Sequence, residues 1–438
     1  MRNFVYIVIA VVFITVLQAG SNAQNVRLVT LSEAITIAKQ NNSEYLLAKL
    51  DKMKADKQVS EIYSQNLVPT VTLKSQYMRS FKKQVINIFG QNYALGTDNS
   101  ITTTLDVSES IPVLGTPVFA GIRIAEYYSM LQQENVSKVE SKIKSDVKKA
   151  FLNVLLLKEV IELDSQSIDN AKENLRVVEA RYKAGVALEY DYLRAKVKVE
   201  TLMPELTKAQ NNLEIAKKYL KNTMGLKDKE DIDAKGTLSY DSTEVWGTMD
   251  NIIRNISEKN VVIRQLSLNK LINDELVRVD YANYMPKIYV FGEYGLQGNE
   301  DDGRSIFNYR FFNVITAGLG LSWDLNLFRN SYKEDQSKIE VLKTEEQIRD
   351  VKEKLKVQAE STLLIIEDAK NRIRAQRQIV DEAERGLDLA TVSFKSGVLN
   401  QIDVIDAELV VSQVKLAYIQ AIYDYLNART DLEELLEK

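Results

Sequence analysis

Ile315-Thr316-Ala317-Gly318-Leu319-Gly320-Leu321-Ser322-Trp323-Asp324-Leu325-Asn326-Leu327 alternates without a fault. Every second residue is apolar and those between are small or polar, the period of a strand with one greasy face. Three other segments share the pattern. Val71, Leu73 and Tyr77 oppose Thr70, Thr72, Lys74 and Gln76. Ile101, Leu105, Val107 and Ile111 oppose Thr102, Thr104, Asp106, Ser108 and Ser110. Ile288, Val290, Tyr294 and Leu296 oppose Lys287, Glu293 and Gln297, with Phe291 an exception on the polar side. Such segments of about 10–15 residues suffice for a tilted strand to cross a bilayer. A soluble β-subdomain, the competing reading, uses strands of about 5–6 residues.

The N-terminus points the same way. Met1-Arg2-Asn3, an apolar run from Phe4 to Leu17, and Ser21-Asn22-Ala23 before Gln24 have the pattern of a signal peptide over residues 1–23; an uncleaved anchor is the competing reading, but the run is too short for a comfortable membrane span. No later stretch has the uninterrupted apolar length of a transmembrane helix, so a membrane location requires a β-barrel. Single-chain barrels begin at about eight strands and lipid tolerates no open sheet edge. Four strands cannot close alone, whereas three copies would supply about twelve.

The strands belong to a duplicated chain. Pro69 in Leu67-Val68-Pro69-Thr70 corresponds to Pro286 in Tyr284-Met285-Pro286-Lys287, 217 residues on. Leu105-Asp106-Val107-Ser108 corresponds to Leu319-Gly320-Leu321-Ser322 at an offset of 214. Arg181-Tyr182-Lys183-Ala184-Gly185-Val186, with Asp191 and Ala195, corresponds to Ser393-Phe394-Lys395-Ser396-Gly397-Val398, with Asp403 and Ala407, at 212. Three landmarks in one order at nearly one spacing indicate tandem halves, 24–224 and 248–438, joined by a polar connector, 225–247, with room for one short strand. Each half is expected to run helix, strand, strand, long helix, helix. The first helices span 31–66, with capping by Thr30, Ser32 and Glu33, and 248–283. The polar loops 80–100 and 298–310 join the strand pairs as extracellular loops of a barrel.

Little breaks a helix over 117–182 or 331–394. At about 1.5 Å per residue each spans about 90–100 Å, three times the hydrocarbon thickness, and both carry Lys and Glu throughout, so they stand in water. Val136, Val139, Ile143, Val147, Ala150, Val154, Leu157 and Ile161 form a coiled-coil seam that breaks at Asp164 and resumes at Ile168, Ala171, Leu175, Val178 and Tyr182. The second copy places Ile348, Val351, Leu355, Ala359, Thr362, Ile366, Ala369 and Ile373 likewise, then Val380, Ala383, Leu387, Ala390 and Phe394. Each long helix ends in a glycine turn, Gly185 or Gly397, and a shorter helix returns over 188–224 or 402–437. Pro204 is expected to kink the first return helix; Leu416 stands in its place in the second.

Composition narrows the chemistry. The 438 residues contain no Cys and no His, which removes disulfides, thiolate metal sites, the usual general base and a Ser-His nucleophile. Acids exceed bases, 61 to 57, which argues against nucleic acid as a partner.

Signal peptide, tandem halves, two strands per half and long hairpins capped by glycine together resemble the TolC family of outer-membrane efflux proteins. The most specific segments are Ala180-Arg181-Tyr182-Lys183-Ala184-Gly185-Val186, Phe394-Lys395-Ser396-Gly397-Val398 and Ile402-Asp403-Val404-Ile405-Asp406-Ala407. The resemblance implies a mainly α chain with a transmembrane β-barrel portion: a homotrimer sharing one twelve-stranded barrel in outer-membrane lipid of a Gram-negative cell, with an α-helical tunnel extending into the periplasm. It implies no enzyme activity, cofactor or metal, and partnership with a periplasmic adaptor and an inner-membrane pump in efflux or type I secretion. The adaptor-docking tips would be Ala184, Gly185, Val186, Ser396, Gly397 and Val398, where the family typically has Val-Gly-Leu. Asp403 and Asp406 match the spacing of family aspartates that ring the closed end, six in a trimer; such a ring attracts cations. Asp191 matches the acceptor of a charged lock in some relatives, but Leu399 replaces its arginine and Phe394 a tyrosine. Closure then relies on packing, or the channel rests partly open. Two other classes stand beside this one. A secreted structural coiled-coil protein explains the helices but not the strands, and an acid-pair hydrolase needs two converging carboxylates that no segment supplies.

Overall fold

A computed structural model describes residues 27–111, 116–226, 231–243, 246–305 and 308–437. The expected signal peptide and cleavage before Gln24 lie outside them. In chain order the elements are β1 (Arg27–Val29), α1 (Leu31–Asn41), α2 (Ser43–Leu67), β2 (Thr70–Arg79), β3 (Gln84–Ile88), β4 (Gln91–Leu95), β5 (Asn99–Ile111), α3 (Thr116–Lys183), α4 (Glu189–Thr223), β6 (Ile232–Ala234), α5 (Met249–Lys259), α6 (Val261–Ala282), β7 (Lys287–Glu300), β8 (Phe311–Ser322), α7 (Leu327–Lys395) and α8 (Gln401–Leu435). No described helix is long and apolar enough to cross a membrane. The chain divides into two compact units, each assembled from separated stretches of sequence.

One unit comprises Ala48–Ser137 and Val261–Glu353. Its centre is an antiparallel sheet in the order β2-β5-β7-β8, with strands of 10, 13, 14 and 12 residues. All four expected strands form. Among the described residues, β2 and β8 each leave one edge unpaired. The apolar side of the sheet is uncovered: Ile315 is 77% exposed and Leu319 74%. The alternation through Trp323, Leu325 and Leu327 suggested a longer fourth strand, yet β8 stops at Ser322. Ser322 pairs with Lys287, the first residue of β7 after Pro286, so the ladder loses its partner there. Asp324 then accepts the Asn326 N–H and pairs with Arg329, and the turn leads into α7.

The long loop after β2 is more structured than its polar composition suggests. It holds the β3–β4 ribbon, whose turn places Phe89 and Gly90 at φ of 49° and 84°. The base of the ribbon is tied down by charges: Lys83 pairs with Asp98 and Asp301, and Arg79 with Asp302.

The other unit comprises the described residues up to Leu47, Lys138–Asn260, and residues from Lys354 onward. The connector supplies β6, which pairs in parallel with β1. The seams pack as their spacing requires: Ile143, Val147, Ala150 and Val154 on α3, and Leu355, Ala359, Ile366, Ala369 and Ile373 on α7, are buried. α3 and α7 run for 68 and 69 residues. Pro204 lies inside α4 without interrupting it.

The first helix of each half breaks where continuity was expected. Thr30 does cap α1 in a box with Glu33, but Asn42 is extended (φ −66°, ψ 124°) and separates α1 from α2. Asn260 does the same between α5 and α6 (φ −63°, ψ 130°). The Asn42 carbonyl oxygen of the side chain accepts the Glu44 and Tyr45 N–H groups at 2.9 and 3.3 Å, capping α2, while its amide donates to Thr223 O at 2.9 Å. Asn260 donates its amide to Leu435 O at 3.2 Å. Each break thus satisfies a carbonyl that the end of a return helix leaves free. Beyond the end of α4, Gly225 (φ 71°) turns the chain, with Leu226 N–H donating to Lys221 O.

Candidate functional site at the hairpin turns

The turn between α3 and α4 and that between α7 and α8 are built alike. A long helix must reverse, and its last carbonyls need donors from a residue in the left-handed region. Gly185 (φ 73°) and Gly397 (φ 80°) fill that position. Val186 N–H reaches Arg181 O at 3.0 Å, and Val398 N–H reaches Ser393 O at 2.9 Å. Ala184, Gly185, Val186, Ser396, Gly397 and Val398 are all exposed, as are the apolar side chains of Leu188 and Tyr190. Val398 is 78% exposed, a large apolar group held in water on a rigid turn.

The two return helices begin with an aspartate at the same place. Asp191 lies in the first turn of α4, and Asp403 in the first turn of α8. Asp403 accepts the Asn400 N–H at 3.0 Å, so its carboxylate is fixed by the helix start that it caps. Asp406, one turn further, is exposed. Arg194 occupies the corresponding position of the first half.

Beneath the turns the hairpins share a core. Phe394, 8% exposed, packs with Val178, Ala195, Ala390 and Val404. Leu399 is exposed. Sequence reasoning missed Arg181: its guanidinium lies over the Phe394 ring, 4.6 Å from the centroid, and reaches the Phe394 carbonyl at 3.5 Å. Nothing in the spacing distinguishes this arginine from its neighbours, because the contact joins residues 213 apart.

At the seam break, α3, α4, α7 and α8 surround a polar cavity of about 180 Å³ lined by Asp164, Lys198, Glu205, Glu408 and Lys415. Burial holds the Glu408 carboxyl above the ordinary glutamate range, against the attraction of Lys198. Burial, then the nearby Glu205, raises Asp164. A carboxyl with a raised folded pKa stabilises the fold while protonated and loses that contribution as pH rises through the raised value. Glu408→Gln is therefore expected to raise the thermal midpoint at neutral pH, with the gain shrinking as pH falls toward the ordinary glutamate range. A gain independent of pH, measured by circular dichroism, would reject the assignment. Among the described residues no cluster suited to a metal ion occurs.

This architecture has close parallels. The outer membrane efflux protein family matches at residues 34–226 and again at 257–437. The cobalt-zinc-cadmium resistance protein CzcC of Cupriavidus metallidurans is 22% identical over 348 residues, 76% of this chain and 77% of that protein. Outer membrane protein TolC of Escherichia coli is 20% identical over 407 residues, 91% of this chain and 80% of that protein. The crystal structure of the Campylobacter jejuni CmeC outer membrane channel superposes with a TM-score of 0.77 at 16% identity, covering 93% of this chain and 85% of that one. A mainly helical chain with a four-stranded antiparallel sheet and two glycine-turned hairpins is the fold of outer-membrane channels. The chain belongs to the outer membrane efflux protein family, whose members are channels and not enzymes.

Proposed function

We propose that three copies of this chain pool their strands into one twelve-stranded barrel and form a passive export duct through the outer membrane. The observation that carries this reading is the sheet itself. Its strands are of membrane-crossing length, one face is apolar and uncovered, and the outer edges of β2 and β8 have no partner among the described residues. An open edge cannot persist in lipid, and pairing β8 of one copy with β2 of the next removes both edges.

In this reading residues 1–23 are a signal peptide, and 24–224 and 248–438 are structural repeats joined by 225–247. The double family match and the recurrence of one element order support the repeats. Asp403, Asp406 and Asp191 surround the periplasmic aperture, with Phe394 packed behind it. The exposed Ala184-Gly185-Val186 and Ser396-Gly397-Val398 turns dock a periplasmic adaptor, which joins the duct to an inner-membrane pump of an efflux or type I secretion system. The aperture opens when the hairpins part.

Purified from outer membranes, the protein is expected to remain with the membrane after carbonate washing, to run as a cross-linked trimer, and to give stepwise currents in planar bilayers. A carbonate-soluble monomer without conductance would reject the proposal.

A further inference from the structure

The two hairpin ends are equivalent in sequence but not in how they hold their aromatic residue. Tyr182 and Phe394 occupy the same position of the two halves, as do Tyr192 and Val404, and Arg181 and Ser393. In the first hairpin Tyr182 stacks on Tyr192, with centroids 5.5 Å apart and planes 6° from parallel, so that ring is held within its own hairpin. In the second hairpin Val404 offers no ring, and a face of Phe394 is left for another partner. Arg181 takes it from the opposite hairpin. Ser393, the counterpart of Arg181, is too short to return the contact. The pair is thus a single one-way clamp between the end of α3 and the end of α7.

Its surroundings favour the clamp. Phe394 is buried and Arg181 half-buried, and a cation over an aromatic face gains strength when water is excluded. The guanidinium also reaches the Phe394 carbonyl at 3.5 Å, sharing it with the Gly397 N–H of the turn. We infer that Arg181 is a gate-positioning residue: its guanidinium on Phe394 holds the two hairpins of each chain together and sets the closed state of the aperture. This rests on the channel reading above, and it places the closing contact within one chain, where Leu399 makes none.

The test uses the full-length protein in planar bilayers, comparing the parent with Arg181→Gln, Arg181→Lys, Phe394→Leu and the double variant Arg181→Gln/Phe394→Leu. Arg181→Gln is expected to raise the ratio of open to closed time by about 2- to 30-fold per chain. Arg181→Lys should lie between it and the parent. The double variant should open no more readily than Arg181→Gln alone, because both changes remove one contact. If Arg181→Gln fails to assemble, Phe394→Leu carries the test, since it removes the ring and keeps an apolar side chain. An unchanged open-to-closed ratio in a conducting channel, or additive effects in the double variant, would overturn the clamp while sparing the channel. A parent without conductance overturns both.

Discussion

Gly225→Ala is expected to lower the stability of the unit that holds the hairpins by on the order of 2–4 kcal/mol. Two effects add. Gly225 has φ of 71°, where an alanine costs about 1 kcal/mol. A Cβ there would also stand 2.4 Å from the carbonyl oxygen of Asn41 and 2.7 Å from the backbone nitrogen of Asn42. Those atoms are backbone, fixed between α1 and α2, and cannot turn aside as a side chain would. The end of α4 must therefore move away, and the Asn42 amide loses its hold on Thr223 O. Gly185→Ala is the internal control. It has nearly the same φ, 73°, with nothing within 4 Å of an added Cβ, so only the conformational part, about 1 kcal/mol, should be lost. Thermal melts followed by circular dichroism should show the larger drop in midpoint for Gly225→Ala. Equal drops would mean that the close approach to Asn41 contributes nothing.

Neutralising Asp403 and Asp406 together should reduce the preference for cations over anions by several-fold, on the order expected for removing a charged ring from a pore. Asparagine is the informative replacement. Asp403 accepts the Asn400 N–H, and an alanine there would loosen the start of α8 by about 1 kcal/mol as well as remove the charge. Asn keeps an acceptor in place, so a change in selectivity reports the charge. The reversal potential under a potassium chloride gradient measures it, and dilute salt enlarges the effect because screening lengths grow. A reversal potential that does not move would remove these aspartates from the conduction path.

The strands, the long helices and both glycine turns could be read from the chain because each rests on local periodicity or on a conformation that one residue type fills best. Val147, Val154, Ala359 and Ile373 repeat at helical spacing and are buried as that spacing demands. What escaped depends on distant partners. Asn42 and Asn260 sit at equivalent places in the duplicated pattern, and an asparagine within a helical run is a candidate cap. Their hold on Thr223 and Leu435, however, joins residues 181 and 175 positions apart. The end of β8 depends on where β7 begins, and the β3–β4 ribbon on a turn of Phe89 and Gly90 inside a polar loop. At the site, the equivalence of Asp191 and Asp403 was visible in the sequence. The cap that Asp403 makes to the Asn400 N–H and the contact of Arg181 with Phe394 needed the fold.

Neither compact unit is made from one run of the chain. The central sheet cannot form until β5 meets β7, pairing Asn99 with Glu300, so about two-thirds of the 438 residues must cross the inner membrane before the first two strands of that sheet gain their neighbours. Until then an apolar hairpin with bare edges waits in water, the kind of intermediate that aggregates unless it is escorted. Biogenesis of this protein should consequently be more sensitive to loss of periplasmic chaperones than that of a barrel whose successive strands pair as they emerge.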